Sequence, residues 1–216
     1  MKWKDASRGK NVSMTGRFSL AAALLAGCGA VCVAAPQASS DDAADIDVLI
    51  SARMQVRSGN LEQAEQTTRE FLQRHPASAQ AHFLLGFILF KEGQAKADVA
   101  LTQEKCRASL VEYTTGAKDH PPSSLDLKIV ALDYVLLGDF ADADKWLSQS
   151  LGWNPRDPEA WYYLGRIKYS EKMFPAAVGA FDQALRLDPK NGEAEAGRKL
   201  ALAGENAGPS VPSLDK

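Results

Sequence analysis

The 216-residue sequence is short of the residues that most catalysts and nucleic-acid binders depend on. It holds 3 histidines and 3 cysteines, too few for a disulfide framework. Net charge is −2, so no basic footprint for nucleic acid is present. No G-x-G-x-x-G and no P-loop motif occurs, and no run of acids carries the glycine and distal glutamate of a calcium loop. Beyond one segment near the N-terminus, no long apolar run exists, which excludes a polytopic membrane protein. What is there is ordinary: 45% hydrophobic, 24% charged and 8% aromatic residues, enough chain to bury a sizeable core.

The N-terminal segment is distinct from the rest. Lys2, Lys4, Arg8, Lys10 and Arg17 face a single acid, Asp5, and Phe18 to Ala35 then runs without charge. A basic stretch, an apolar stretch and closing small residues describe a signal peptide over residues 1–35. The apolar run is rich in Ala and Gly and sits at the short edge for a membrane span. Two processing routes stay open. Leu25-Ala26-Gly27-Cys28 resembles the lipobox of bacterial lipoproteins, which would make Cys28 a lipidation site. Against it, the apolar run continues past Cys28, and ordinary cleavage would use small residues such as Cys32 and Ala34. Translation starts at Met1 or Met14. Residues 36–44 read as a polar linker. Without residues 1–35 the chain keeps 20 basic and 26 acidic residues, a net of −6. The expectation is an exported body, periplasmic or secreted, or a membrane-anchored lipoprotein that meets the membrane only through its N-terminus.

The remaining chain repeats. Trp161, Leu164, Gly165, Ala177, Phe181, Ala184 and Pro189 have the spacing W-x2-L-G, A-x3-F-x2-A-x4-P. Pro121, Pro155 and Pro189 follow one another at 34 residues, and His82 to Gly86 stands 34 residues after Val48 to Ala52. This pattern resembles the tetratricopeptide repeat, and the chain is identified as a member of that family, of exported bacterial type. The resemblance implies an all-α fold, a right-handed α-solenoid of four helix–turn–helix units plus a capping helix. The units are 45–78, 79–123, 124–157 and 158–191, with a cap at 192–203, together a repeat domain of 45–203. A tail, 204–216, reads as disordered from its Gly, Pro and Ser content.

Local chemistry points the same way. Leu84, Leu85, Ile88 and Leu89 recur with helical period. The prolines stop second helices because the residue before proline avoids the helical region. Gly59, Gly93 and Gly138 are expected at the turns inside units, and Gly86, Gly165, Ala64, Ala131, Ala143 and Ala177 at close helix crossings. The second unit is eleven residues longer than 34, with the excess at 94–105. Three added turns would let its second helix start early and project about 16 Å; a loop insertion is the alternative.

Little chemistry converges. His75 and His120 precede unit-ending prolines and read as helix-end residues. His82 occupies the site that Trp161 fills in the last unit and reads as packing. Cys106 is a lone cysteine on a helix, and Asp139, Asp142 and Asp144 crowd a helix start where acids cap the helix and complement its dipole. No enzyme, cofactor or metal is expected.

The resemblance implies instead that first helices line a groove for an extended peptide or a partner helix. The inward sites map to Leu49, Arg53 and Arg57, then to Phe83, Phe87, Phe90 and Lys91. The third unit contributes Lys128, Leu132 and Val135, and the fourth Tyr162, Arg166 and Tyr169. Some family members hold chaperone tails with a carboxylate clamp; those sites carry Leu49, Arg53, Leu84, Leu125 and Ile129 here, with one basic residue and no Asn, so that mechanism is not expected. The function expected is a non-catalytic protein-interaction scaffold of the cell envelope. A lipid-anchored assembly adaptor of pilus or secretion type, or a regulatory subunit of an envelope enzyme, are the alternatives.

Overall fold

A computed structural model describes residues 40–206. The leader, Cys28 and most of the C-terminal tail lie outside the described residues, as does the first part of the linker. Helical structure already begins at Ser40, inside the segment read as linker.

The described residues form α-helices and no strands: α1 Ser40–Arg57, α2 Leu61–Arg74, α3 Ala79–Gln94, α4 Val99–Gly116, α5 Ser124–Leu137, α6 Phe140–Trp153, α7 Pro158–Ser170, α8 Phe174–Leu187 and α9 Gly192–Asn206. They make an all-α solenoid of four helix–turn–helix units, with α9 as a further helix on the last unit. The last helix runs three residues past 203 and presents Gly204 to the Phe174 ring.

The starts of α3 to α7 each carry a side-chain cap, while Asn60 and Met173 before α2 and α8 make none. Ser78, Asp98, Asp139 and Asp157 accept side-chain hydrogen bonds from first-turn backbone N–H groups, and Ser123 with Asp126 forms a reciprocal capping box. Asp139 thus has the capping role that its sequence context indicated. Pro158 occupies the first helical position, where its missing N–H is no loss.

Small residues set the helix spacing. A Cβ on Gly165 would lie 2.7 Å from the Phe181 ring, and one on Gly86 2.8 Å from Tyr113. Ala52, Ala64, Ala131, Ala143 and Ala177 are fully buried at the other crossings. One core runs through the middle units around Phe90, Leu127, Ile129, Trp146, Leu147 and Ile167. Smaller clusters lie at each end, around Leu49, Phe71 and Leu84 and around Phe181 and Ala184. A repeat that buries its faces on its neighbours folds only as a stack.

In the long second unit the second helix starts early, as one reading of the insertion had it, but it does not project alone. Neither a single projecting helix nor a loop forms. Measured from the small residues at the crossings, Gly86 and Ser109, α3 runs three residues further than α7 does. The turn gains one residue, and α4 starts seven residues earlier than α8. Both arms of the hairpin lengthen together, α4 by about two turns or 10 Å. Gly93 is therefore not a turn residue: it lies buried in α3, with Lys105 Cβ and the Thr102 carbonyl 3.4 Å from where its Cβ would be. The Thr102 hydroxyl donates to the Gly93 carbonyl over 3.1 Å. Lys105 then pins the lengthened arm, pairing with Glu65 of α2 at 3.0 Å and with Glu92 of α3.

Candidate functional site

The first helices of the units carry the side chains expected to meet a partner, and the structure separates them into two cavities and a buried middle. Toward the N-terminal end, α1 supplies Arg53 and, one turn on, Val56 and Arg57. α3 supplies Gln80, Phe83, Leu84 and Phe87, α4 supplies Tyr113, and α5 supplies Leu125 and Asp126. Together they line a cavity of about 400 Å³. Toward the C-terminal end, Tyr162, Arg166 and Tyr169 of α7 face Glu193, Gly197 and Leu200 of α9 across a cavity of about 470 Å³, with Phe181 and Ala196 also on its wall.

Between these cavities the expected surface closes. Phe90 and Leu132 are 1% and 3% exposed and belong to the central core. They offer nothing to a partner, because they are buried within that core. Val135 packs on the same core. Lys128 is buried as well, its ammonium 2.9 Å from Asp157 and 2.7 Å from Glu159. Burial works against that charge, but the two carboxylates hold its pKa above the ordinary lysine value. Lys128 therefore ties α5 to the start of α7 and is not a groove cation. Of the residues at the clamp positions, Leu49, Leu84 and Ile129 are buried.

The aromatic residues that stay accessible are dressed with cations. The Lys91 ammonium lies 5.7 Å from the Phe87 ring centroid. The Arg166 guanidinium lies 5.7 Å from Tyr162 and 5.6 Å from Tyr163. Tyr169 is 37% exposed and sits 5.6 Å from Phe174. Burial raises the pKa of Tyr162, with a contribution from Glu193, so its hydroxyl keeps its proton at neutral pH.

Sequence reasoning missed Tyr113. It stands where Phe181 stands in the fourth unit and reads as one more core ring. Its ring stacks on Phe83 at 5.9 Å, yet its hydroxyl is buried without a hydrogen-bond partner on the wall of the first cavity. Burial pushes its pKa well above the ordinary tyrosine value, and Asp126 and Asp133 add to the shift. The one signal in the sequence was a phenol at a register filled by Phe, Leu or Thr elsewhere.

The other candidates are structural. His75 caps α2 and stacks on Phe71 at 4.6 Å. His82 places Nδ1 2.6 Å from Glu112 and Nε2 3.0 Å from the Pro76 carbonyl. Cys106 is fully buried, and burial with Asp133 beside it pushes its thiol up to about 12, far from a nucleophile's range. Among the described residues, no group of three or more His, Cys, Asp or Glu side chains is placed to hold a metal ion. No helix among them is long and apolar enough to cross a membrane.

Comparison with known proteins bears on the fold. The tetratricopeptide repeat family model matches residues 51–109 and 131–192, more than half of the chain. Solved structures similar to it include a thermophilic TPR protein of Thermus thermophilus, with TM-score 0.58 and 20% identity over 72% of this chain and 80% of that one. YrrB, described as a TPR protein with an unusual peptide-binding site, matches at TM-score 0.59 and 17% identity over 75% of this chain and 78% of its own. MamA matches at TM-score 0.58 and 17% identity over 75% and 82%. At these identities the likeness is one of fold. No curated protein matches the sequence.

Proposed function

The chain belongs to the tetratricopeptide repeat family, a family of protein-interaction scaffolds, and we propose that this member is a non-catalytic scaffold that takes a peptide or helix of a partner protein along the inward faces of α1, α3 and α7. The observation that carries this reading is the survival of accessible aromatic and arginine side chains at both ends of that surface. Phe83 and Phe87 stand beside Arg53 and Arg57, and Tyr162 and Tyr169 beside Arg166, around cavities of about 400 and 470 Å³. Aromatics and arginine are the side chains that dominate interface energies. A solenoid that needed these faces only for stacking would bury them, as it buries Phe90 and Leu132. YrrB, which shares the fold, is described as binding peptide at an unusual site, and that description is consistent with this placement.

The setting we propose is the cell envelope. Its support is the basic and then apolar character of residues 1–35. The test joins site and setting: in-cell crosslinking of envelope fractions, comparing wild type with Phe87→Glu plus Tyr162→Glu. The wild type should recover one partner, and the folded double variant should lose it. Unchanged recovery with unchanged helicity would remove the groove from consideration.

A second reading has its own observation. Leu25-Ala26-Gly27-Cys28 directly follows the first apolar residues of the leader, as a lipid-anchored adaptor requires. Metabolic labelling with palmitate decides it. Label that disappears in Cys28→Ala supports the anchor, and absence of label in the wild type overturns it.

A further inference from the structure

The two cavities differ, and the N-terminal one carries an incomplete set of interactions. Its floor is apolar, built from Val56, Phe83, Leu84 and Phe87. At its mouth stand Arg53 and Arg57, both exposed and four residues apart, so the two side chains leave one helix face about 6 Å from each other. Neither has an ion-pair partner among the described residues. Lys91 brings a third cation over the Phe87 ring. The single acid on the lining, Asp126, is already engaged: its Oδ2 accepts from the Ser123 N–H at 2.8 Å and from the Ser123 hydroxyl at 2.6 Å. On the wall, the Tyr113 hydroxyl is buried with no partner. A buried hydroxyl left unpaired costs about 1–3 kcal/mol, which a ligand's polar group would recover.

We propose that this cavity recognises an acidic peptide segment of a partner protein, one large apolar side chain entering between Phe83 and Phe87, flanking carboxylates meeting Arg53 and Arg57, and a peptide carbonyl accepting from Tyr113. This deepens the groove reading above and rests on it. The volume of about 400 Å³ accommodates a phenylalanine- or leucine-sized group with part of its backbone. Charge complementarity selects the flanks: Arg53 and Arg57 have no ion-pair partner among the described residues and outnumber Asp126, the one acid on the lining. The Tyr113 hydroxyl keeps its proton at neutral pH, so it donates, and a backbone carbonyl is the acceptor every peptide brings. The C-terminal cavity lacks this polarity, because Glu193 faces Arg166 across it.

The experiment is fluorescence anisotropy on the purified protein with three labelled peptides. One has a central phenylalanine flanked on both sides by glutamates; the second has serine in place of the phenylalanine; the third has lysines in place of the glutamates. The first should bind, and the other two should bind at least about tenfold more weakly, a difference of about 1.4 kcal/mol. Arg53→Glu with Arg57→Glu should abolish binding of the first peptide. Tyr113→Phe, which keeps the ring against Gly86 and Phe83, should weaken it about three- to tenfold without lowering stability. Equal binding of the glutamate and lysine peptides, or full binding to the double arginine variant, overturns the proposal. If selected peptides bind but respond only to Tyr162→Glu, the groove reading stands and this cavity's role falls. If no peptide of any charge binds, both fall. Self-association that Arg53→Glu abolishes would assign the cavity to a second copy of the chain and overturn the peptide assignment.

Discussion

The Ser109 hydroxyl of α4 lies 2.6 Å from Oδ2 of Asp133 in α5 and also donates to the Gly86 carbonyl of α3 over 2.9 Å. One hydroxyl carries one proton, so both contacts are satisfied together only if Asp133 is protonated and donates to Ser109. The environment favours that state. Burial lifts the Asp133 pKa from its ordinary 3.8 to about 8, with the Ser109 and Cys106 side chains offsetting part of the rise. A neutral carboxyl therefore links three helices of two neighbouring units at the centre of the stack.

Stability should follow that proton. A carboxyl whose folded pKa stands above its unfolded value holds its proton more tightly when folded. Its contribution is complete below pH 3.8 and drains away as pH rises to about 8. The slope in between is at most about 1.4 kcal/mol per pH unit. Asp133→Asn keeps the shape and removes the charge, so its advantage over wild type should grow from little at pH 4 to a few kcal/mol at pH 8. Urea denaturation at several pH values reads this directly; parallel curves for the two proteins would refute it.

The Lys105 bridge predicts a second titration. Burial holds the Glu92 pKa above the ordinary range, and its neighbour Glu65 adds to that shift. Lys105 is the cation that both carboxylates share. Lys105→Ala should cost about 1–2 kcal/mol at pH 7, between the exposed and the buried case because the lysine side chain is 27% exposed. The loss should shrink on acidification as Glu92 takes up a proton, and adding Glu92→Gln should restore most of it. If Lys105→Ala leaves the pH 7 melting curve unchanged, the lengthened hairpin is not held by this pair.

The helix crossings give a paired test. A methyl on Gly165 would sit 2.7 Å from the Phe181 ring, whereas one on Gly179 in the neighbouring helix α8 meets nothing within 4 Å. Gly165→Ala should destabilise by about 1–3 kcal/mol through overpacking. Gly179→Ala should stabilise by about 0.5–1 kcal/mol through helix propensity. Thermal melts of the two variants that moved in the same direction would contradict the crossing geometry.

Much of this architecture is written in local residues. Pro155 and Pro189 directly follow the C-caps of α6 and α8, where the residue before proline avoids the helical region, whereas α4 already ends at Gly116, ahead of Pro121. The equivalence of His82 and Trp161 holds down to the atom: each stands six residues after a unit-ending proline, and each ring nitrogen reaches that proline's carbonyl, at 3.0 and 2.9 Å. The inward face was less legible, because helical period says which side of a helix is apolar and not which neighbour covers it. Phe83 and Phe87 remain accessible while Phe90, on the same helix, is core. Lys128 carries the residue type of a groove cation, and only its distance to Asp157 and Glu159 shows that it is a strut. Asp133 had a visible sign, an acid at the register of Ile88 and Ile167, whose meaning depended on Ser109 replacing alanine at the register it meets.

The turns inside the units supply the last prediction. Gly59, Gly138 and Lys172 occupy equivalent positions and share the left-handed backbone, with φ of 82°, 80° and 60°. Gly93 has the same place in the repeat, but the longer hairpin draws it into α3 as an ordinary helical residue. A side chain costs about 1–2 kcal/mol in the left-handed region and nothing comparable in a helix. Gly138→Ala should therefore destabilise by about 1 kcal/mol, and Lys172→Gly should stabilise by about the same amount. Gly93→Ala, whose new methyl would come no closer than 3.4 Å to its neighbours, should be neutral or stabilise by up to about 1 kcal/mol. Chemical denaturation of the three variants separates the cases: a loss at Gly93 as large as that at Gly138 would return position 93 to a turn and the inserted residues to a single arm of the hairpin.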